Sequence, residues 1–174
     1  MKLGGLKPID DRKIVERVLK GDTEAFNLLV RQWEKPIYNF IYRLINDREE
    51  AMDLCQDSFL KAYRELATLK DRDRFSAWLY RIAHNTCYSR LRKDIGKTFV
   101  EFDPNTSSGR SNVVNHLAIE KALQFLPEEQ RETVVLKVFH ELKFEEIAVI
   151  QGSPVSTVKS RLYMGFEKLR SILE

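Results

Sequence analysis

A chain of 174 residues with 43% hydrophobic and 32% charged side chains, seven Gly and five Pro has room for one domain or two small ones, and its balance favours helices around real cores over disorder or collagen-like repeats. No apolar run approaches the roughly 20 residues of a membrane span, the stretch MKLGGLKPIDDRKIVERV lacks the apolar centre of a secretion signal, and Cys55 and Cys87 lie too far apart to suggest a disulfide scaffold or a four-cysteine zinc site, so an all-α, soluble, cytoplasmic protein is expected. The net charge of +3 is small, but residues 1–93 carry 19 Lys and Arg against 14 Asp and Glu, and basic charge gathers at the end of each half.

A first helix is predicted through IDDRKIVERVLK, stopping at Gly21, with Asp22 placed to cap the next. The second helix sets Phe26, Leu29, Val30, Trp33, Ile37, Phe40, Ile41 and Leu44 in one apolar stripe, and Pro36 inside it predicts a kink or a break. Asn46 and Asp47 offer a new cap, and Glu49 and Glu50 suit the positive end of a third helix running to about Leu66. ATLKDRDR, without apolar period, reads as a loop before a fourth helix, FSAWLYRIAHNTCYSRLRK, whose inner face is Phe75, Trp78, Leu79, Ile82, Ala83 and Leu91.

From residue 94 to 116, Gly96, Pro104, Gly109 and Asn105-Thr106-Ser107-Ser108 interrupt every periodicity. The expected architecture is therefore two small helical domains, 1–93 and 117–174, joined by a flexible linker over 94–116. Apolar spacing resumes at Leu117, and Pro127 with Glu128 and Glu129 reads as the start of a helix over EEQRETVVLKVFH. The chain then ends in a helix-turn-helix pattern: Ala148 where two helices cross, Gly152 for the turn, and Val158 to pin the second helix to the first. Ser153 is placed to cap that second helix and Pro154 to occupy its first turn. Its spacing turns Val155, Val158, Leu162 and Leu169 inward and leaves Ser156, Thr157, Lys159, Ser160 and Tyr163 outward. Hydroxyls and a lysine near a helix N-terminus can reach base edges and phosphates in a major groove, although a plain helical hairpin with a solvated polar face would share the spacing.

With these motifs in order, the chain resembles the sigma-70 family of bacterial RNA polymerase initiation factors, in its short extracytoplasmic-function group. DREEAMDLCQDSFLKAYREL is similar to the segment that docks on the polymerase clamp helices, and FSAWLYRIAHN to the start of the minus-10 segment. LPEEQRETVVLKVFHELKFEEIA and GSPVSTVKSRL resemble the second domain and its minus-35 recognition helix. The resemblance implies a factor that binds core polymerase at clamp helices and flap, directs it to promoter DNA and assists melting. It implies no enzyme activity, catalytic residue, metal or cofactor, and it allows for an anti-sigma factor as a further partner.

The residues supply reasons beside the resemblance. Asp47, Glu49, Glu50, Asp53 and Asp57 face the single base Arg48, an acidic surface suited to a basic partner or simply to solvent. By resemblance, Asp53, Gln56 and Asp57 contact the clamp helices. Between residues 72 and 93 six bases meet one acid, with Tyr80, His84, Asn85 and Tyr88 among them, off the apolar face. Such interleaving suits a melted strand, where cations track phosphate and rings hold unstacked bases; each tyrosine could equally cover the core. By resemblance, Arg74, Tyr80, Arg81, His84, Asn85 and Tyr88 read the minus-10 element, the loop from Thr68 to Arg74 receives a flipped base, and Ser156, Thr157, Lys159, Ser160 and Arg161 read the minus-35 element. Lys143 departs from the family pattern, since it cannot cap the helix it precedes.

Three other classes compete. An enzyme would need more than the lone His84-x-x-Cys87 pair and adjacent acids that point in different directions. A one-component DNA-binding regulator explains the helix-turn-helix but not the basic aromatic segment. An interaction protein that sequesters another regulator needs the acidic face but no DNA-facing residues.

Overall fold

The computed structural model describes residues 10–93 and 112–174, and within them every regular element is helical. Helix α1 spans Asp11–Leu19, with the Asp10 carboxylate accepting from Arg12 N at 3.1 Å. Gly21, at φ +103°, turns the chain, and Asp22 accepts from Ala25 N through a short 3-10 turn that leads into α2, Phe26–Ile45. Helix α2 runs through Pro36 without a break. An interior proline costs about 3 kcal/mol. Ile37, Phe40 and Ile41, the next turn along, are completely buried, and each such side chain contributes about 1.5–3 kcal/mol, which outweighs that cost.

Asn46 closes α2 in the left-handed conformation, φ 56°, and Asp47 caps α3, Arg48–Glu65, by accepting from Glu50 N at 2.9 Å. Two 3-10 turns, Leu66–Thr68 and Arg72–Arg74, form the expected loop, pinned by buried Leu66 and Leu69. Helix α4 is Phe75–Lys93. Its polar Thr86 is buried but satisfied, donating to Ile82 O at 2.8 Å and accepting from Lys61 Nζ at 3.1 Å. Cys55 and Cys87 are buried free thiols.

Residues 94–111, most of the expected linker, lie outside the described residues; α5, Asn112–Leu123, begins five residues before the expected domain start. Helix α6, Glu128–Val134, continues as one π-helical turn, Val135–Phe139. Glu141, at φ 55°, then turns the chain into α7, Phe144–Gln151. Lys143 makes no side-chain cap, and its backbone N–H is instead taken by Glu146 at 2.7 Å. Gly152, at φ 61°, makes the sharp turn to α8, Val155–Leu173. Ser153 does not cap α8 as expected: its hydroxyl donates to Gln151 O at 3.4 Å and accepts from Arg161.

Helices α1–α4 and α5–α8 share one apolar interior. Helix α4 lies at the centre, packed on α2 and α3 with one face and on α7 with another. Among the described residues no helix is long and apolar enough to cross a membrane.

Candidate nucleic-acid interface

The α7–turn–α8 unit is held by Val158 and Leu162, both buried, while Val155 and Leu169 are only half-buried. Gly165, which spacing did not mark, is also buried: α8 crosses α6 there so closely that a β-carbon would come within 2.9 Å of Val134 Cγ2. Its signal was the three- and four-residue step from Val158 through Leu162 to Leu169, with glycine where a large apolar residue would be expected. The packing leaves Ser156, Lys159 and Ser160 exposed and Thr157 half-buried on the outer face of α8. The Lys159 ammonium rests 5.4 Å from the Phe144 ring centre. Arg161 is turned back into the protein. Its guanidinium donates to Glu129 at 2.6 Å, to Gln151 Oε1 at 3.2 Å and to Ser153 Oγ at 2.9 Å.

Helix α4 differs more from expectation. Arg81 and Asn85 are exposed, and so is Arg74 in the preceding turn, where it pairs with Asp71 at 3.2 Å. Tyr80, expected off the apolar face, is 2% exposed, with its ring edge-on to Trp33 and Phe40 and its hydroxyl hydrogen-bonded to His140 Nδ1 at 2.8 Å. The His84 and Tyr88 rings lie against each other at a tilt of 37°, centres 4.4 Å apart, and both address Glu132: His84 Nδ1 donates at 2.6 Å and the Tyr88 hydroxyl at 3.4 Å. The departure has a physical reason. These rings form a second buried face of α4, and the partners that cover it come from α6 and from His140 beyond the π-helical turn.

Glu132 is 1% exposed, and a carboxyl group buried this far needs hydrogen-bond partners for its oxygens. Gln151 Nε2 adds a third donor at 2.9 Å. One network therefore runs from Arg161 through Gln151 and Glu132 to His84 and Tyr88, joining the two helices expected to meet DNA. Burial raises the pKa of the Tyr80 and Tyr88 phenols and lowers that of His140 to about 4, so Tyr80 and His140 meet as neutral groups at pH 7.

The loop before α4 makes an open depression lined by Arg12, Lys70, Asp71, Arg72 and Asp73. Two of its bases are paired: Arg72 with Glu16 at 3.2 Å and Arg12 with Asp73 at 3.6 Å. On α3, Asp53, Gln56 and Asp57 are all exposed. Met52 and Leu60, 56% and 54% exposed, lie on the same side at helical spacing, so the acids border an apolar strip that the described residues leave open.

Residues 29–94 match the family described as Sigma-70 region 2, and residues 116–169 match Sigma-70, region 4. The chain is 33% identical to the RNA polymerase sigma-H factor of Pseudomonas aeruginosa, covering 94% of each. It is 31% identical to the ECF RNA polymerase sigma factor SigW of Bacillus subtilis, covering 93% of this chain and 96% of the relative. Among solved structures it is similar to CnrH in complex with the cytosolic domain of CnrY, with TM-score 0.74, 25% identity and 95% of this chain covered against 97% of that one. It is also similar to the sigma factor RpoE in complex with the anti-sigma factor NepR from Bartonella quintana, with TM-score 0.71, 27% identity and 85% and 96% covered.

Proposed function

The chain belongs to the sigma-70 family, in its extracytoplasmic-function group, and from that premise we propose how its surfaces divide the work of promoter-directed initiation. A sigma factor brings RNA polymerase core to promoters and leaves the chemistry to the polymerase. Residues 1–93 serve polymerase binding and the minus-10 element, residues 117–174 serve the minus-35 element, and 94–116 connect them. An anti-sigma factor is a further partner in this reading, and the place of action is the cytoplasm, with the polymerase.

The observation that carries the proposal is the open strip on α3, where exposed Met52, Gln56 and Leu60 follow one another a turn apart and Asp53 and Asp57 lie along their edge. Apolar surface at the centre with charge at its edge is the composition of a docking site: the first contributes affinity, the second orientation and rate. Clamp helices with basic charge are the occupant. Ser156, Thr157, Lys159 and Ser160 serve the minus-35 duplex, and Arg161, whose guanidinium is held by Glu129, Gln151 and Ser153, serves it by fixing the turn from which they project. Arg74, Arg81 and Asn85, all exposed, serve the melted minus-10 strand, with the loop at 68–74 receiving a flipped base; Tyr80, His84 and Tyr88 join them only where His140 and Glu132 release their side chains, because rings and amides hold bases only once these are unstacked.

Reversing Asp53 and Asp57 to Arg tests the docking face. Exposed charges contribute at most about 1 kcal/mol to folding. The double variant should therefore melt as the wild type does yet lose binding to purified core polymerase and promoter-dependent transcription in vitro. Normal binding by a folded double variant refutes the docking assignment.

A further inference from the structure

We infer that α1 is a positioning element for minus-10 recognition: Glu16 holds Arg72, and through it the 70–74 segment, in the shape that receives a flipped base. The inference rests on the reading of the 68–74 loop given above, and it adds a helix that carries none of the surfaces assigned there.

The loop does not hold its place by packing alone. Leu66 and Leu69 are buried, but residues 70–74 include no buried side chain, and burial resumes only at Phe75. The hydrogen bonds within this stretch are short-range: Asp71 accepts from Asp73 N through its carboxylate at 3.1 Å and from Arg74 N through its carbonyl at 3.1 Å. Such bonds fix the turn but not where the turn sits against the rest of the chain. That placement comes from α1. Arg72 donates to Glu16 Oε1 at 3.2 Å, the same oxygen takes Arg12 Nε at 3.3 Å, and Arg12 reaches on to Asp73 at 3.6 Å. Arg12 and Arg72 together hold the Glu16 carboxyl below the ordinary glutamate range, so it is charged at pH 7.

Helix α1 is a firm base for these contacts. Ile14, Val15 and Val18 are buried, and the Asp11 carboxylate accepts from Gln32 Nε2 at 2.7 Å and Trp33 Nε1 at 3.0 Å, which fastens the first turn to α2. Side chains carried on a rigid helix place their partners more exactly than side chains on a loop. Flipping a base out of the stack is costly, so a depression that had first to be assembled would capture it less often than one already in place. The same contacts neutralise the two guanidiniums that line the depression. Lys70, which makes no ion pair among the described residues, is left to meet phosphate.

The test uses the full chain with purified core polymerase and a promoter that the wild type fires, with each minus-10 position set in turn to each of the four bases. Transcription in vitro gives the preference among bases at every position. An exposed ion pair is worth at most about fivefold in an equilibrium. Glu16→Ala removes two such pairs and should cut the preference about three- to tenfold at the position the loop reads, with other positions unchanged. Arg12→Ala loses the longer contact to Asp73 but leaves Arg72 on Glu16, and should cut it about twofold or less. Because salt screens exposed pairs, the wild-type preference there should fall as salt rises, and the Glu16→Ala preference should not. Two further variants complete the set. Arg17→Ala removes an α1 pair made to Asp22 rather than to the loop, and should change nothing. Lys70→Ala with Asp71→Ala alters the depression itself and identifies the position it reads. If that loop variant shifts a preference that Glu16→Ala leaves intact, α1 does not position the loop, and the inference falls while the loop keeps its assignment. If no variant shifts a preference at any position, the loop receives no base and both readings fall. A loss in Glu16→Ala that is spread evenly over all positions, or matched by Arg17→Ala, is general damage and overturns the positioning role.

Discussion

At Gly165 the difference between two side chains is one methyl group, and the backbones of α8 and α6 approach too closely to admit it. The nearest atom, Val134 Cγ2, belongs to a buried side chain with little room to retreat. Gly165→Ala should therefore cost about 1–3 kcal/mol through overpacking, even though alanine is the better helix former. Thermal melting followed by circular dichroism should show a drop of several degrees. An unchanged or raised melting temperature would mean that α8 shifts freely against α6. Tyr80 and His84 teach the complementary lesson about what single residues disclose. Both look polar and outward when α4 is compared only with the segments beside it. Their partners, His140 and Glu132, lie 60 and 48 residues further along the chain, and no local period encodes them.

Among the elements, those that bury one stripe against their own neighbours were legible throughout. Helices α2 and α3 follow their apolar spacing and their Asn46 and Asp47 signals, and α4 has the bounds that its sequence suggests. Where sequence and structure part, a second demand competes. Pro36 does not interrupt α2 because Ile37, Phe40 and Ile41 after it are fully buried, and Ser153 does not cap α8 because Arg161 and Gln151 O occupy its hydroxyl. Helix α8 also separates holding from reading. Val158 and Leu162 are buried, whereas Ser156, Thr157 and Ser160 stand near the N-terminal end of the outer face. A specific base contact is worth about 1–3 kcal/mol of discrimination, so Ser156→Ala, Thr157→Ala and Ser160→Ala should change the upstream sequences recovered from a randomised promoter pool without lowering the yield of folded protein. Identical selections by all four proteins would shift the source of specificity to DNA shape.

For the whole molecule, two domains were expected from the loss of periodicity over 94–116, and the all-helical class holds for the described residues. The continuity of the interior across both halves was not legible, because it depends on a face of α4 that carries hydroxyls and an imidazole rather than leucines. A shared interior has a calorimetric consequence: the wild type should unfold in one cooperative transition, and Glu120→Arg, which replaces the 3.4 Å pair between Arg43 of α2 and Glu120 of α5 by like charges, in two, each half melting separately. Two transitions in the wild type would mean that the halves are energetically independent. The α3 strip is open while the rings of α4 are covered. Whatever meets the chain first therefore meets its acidic, partly apolar strip before its aromatic rings.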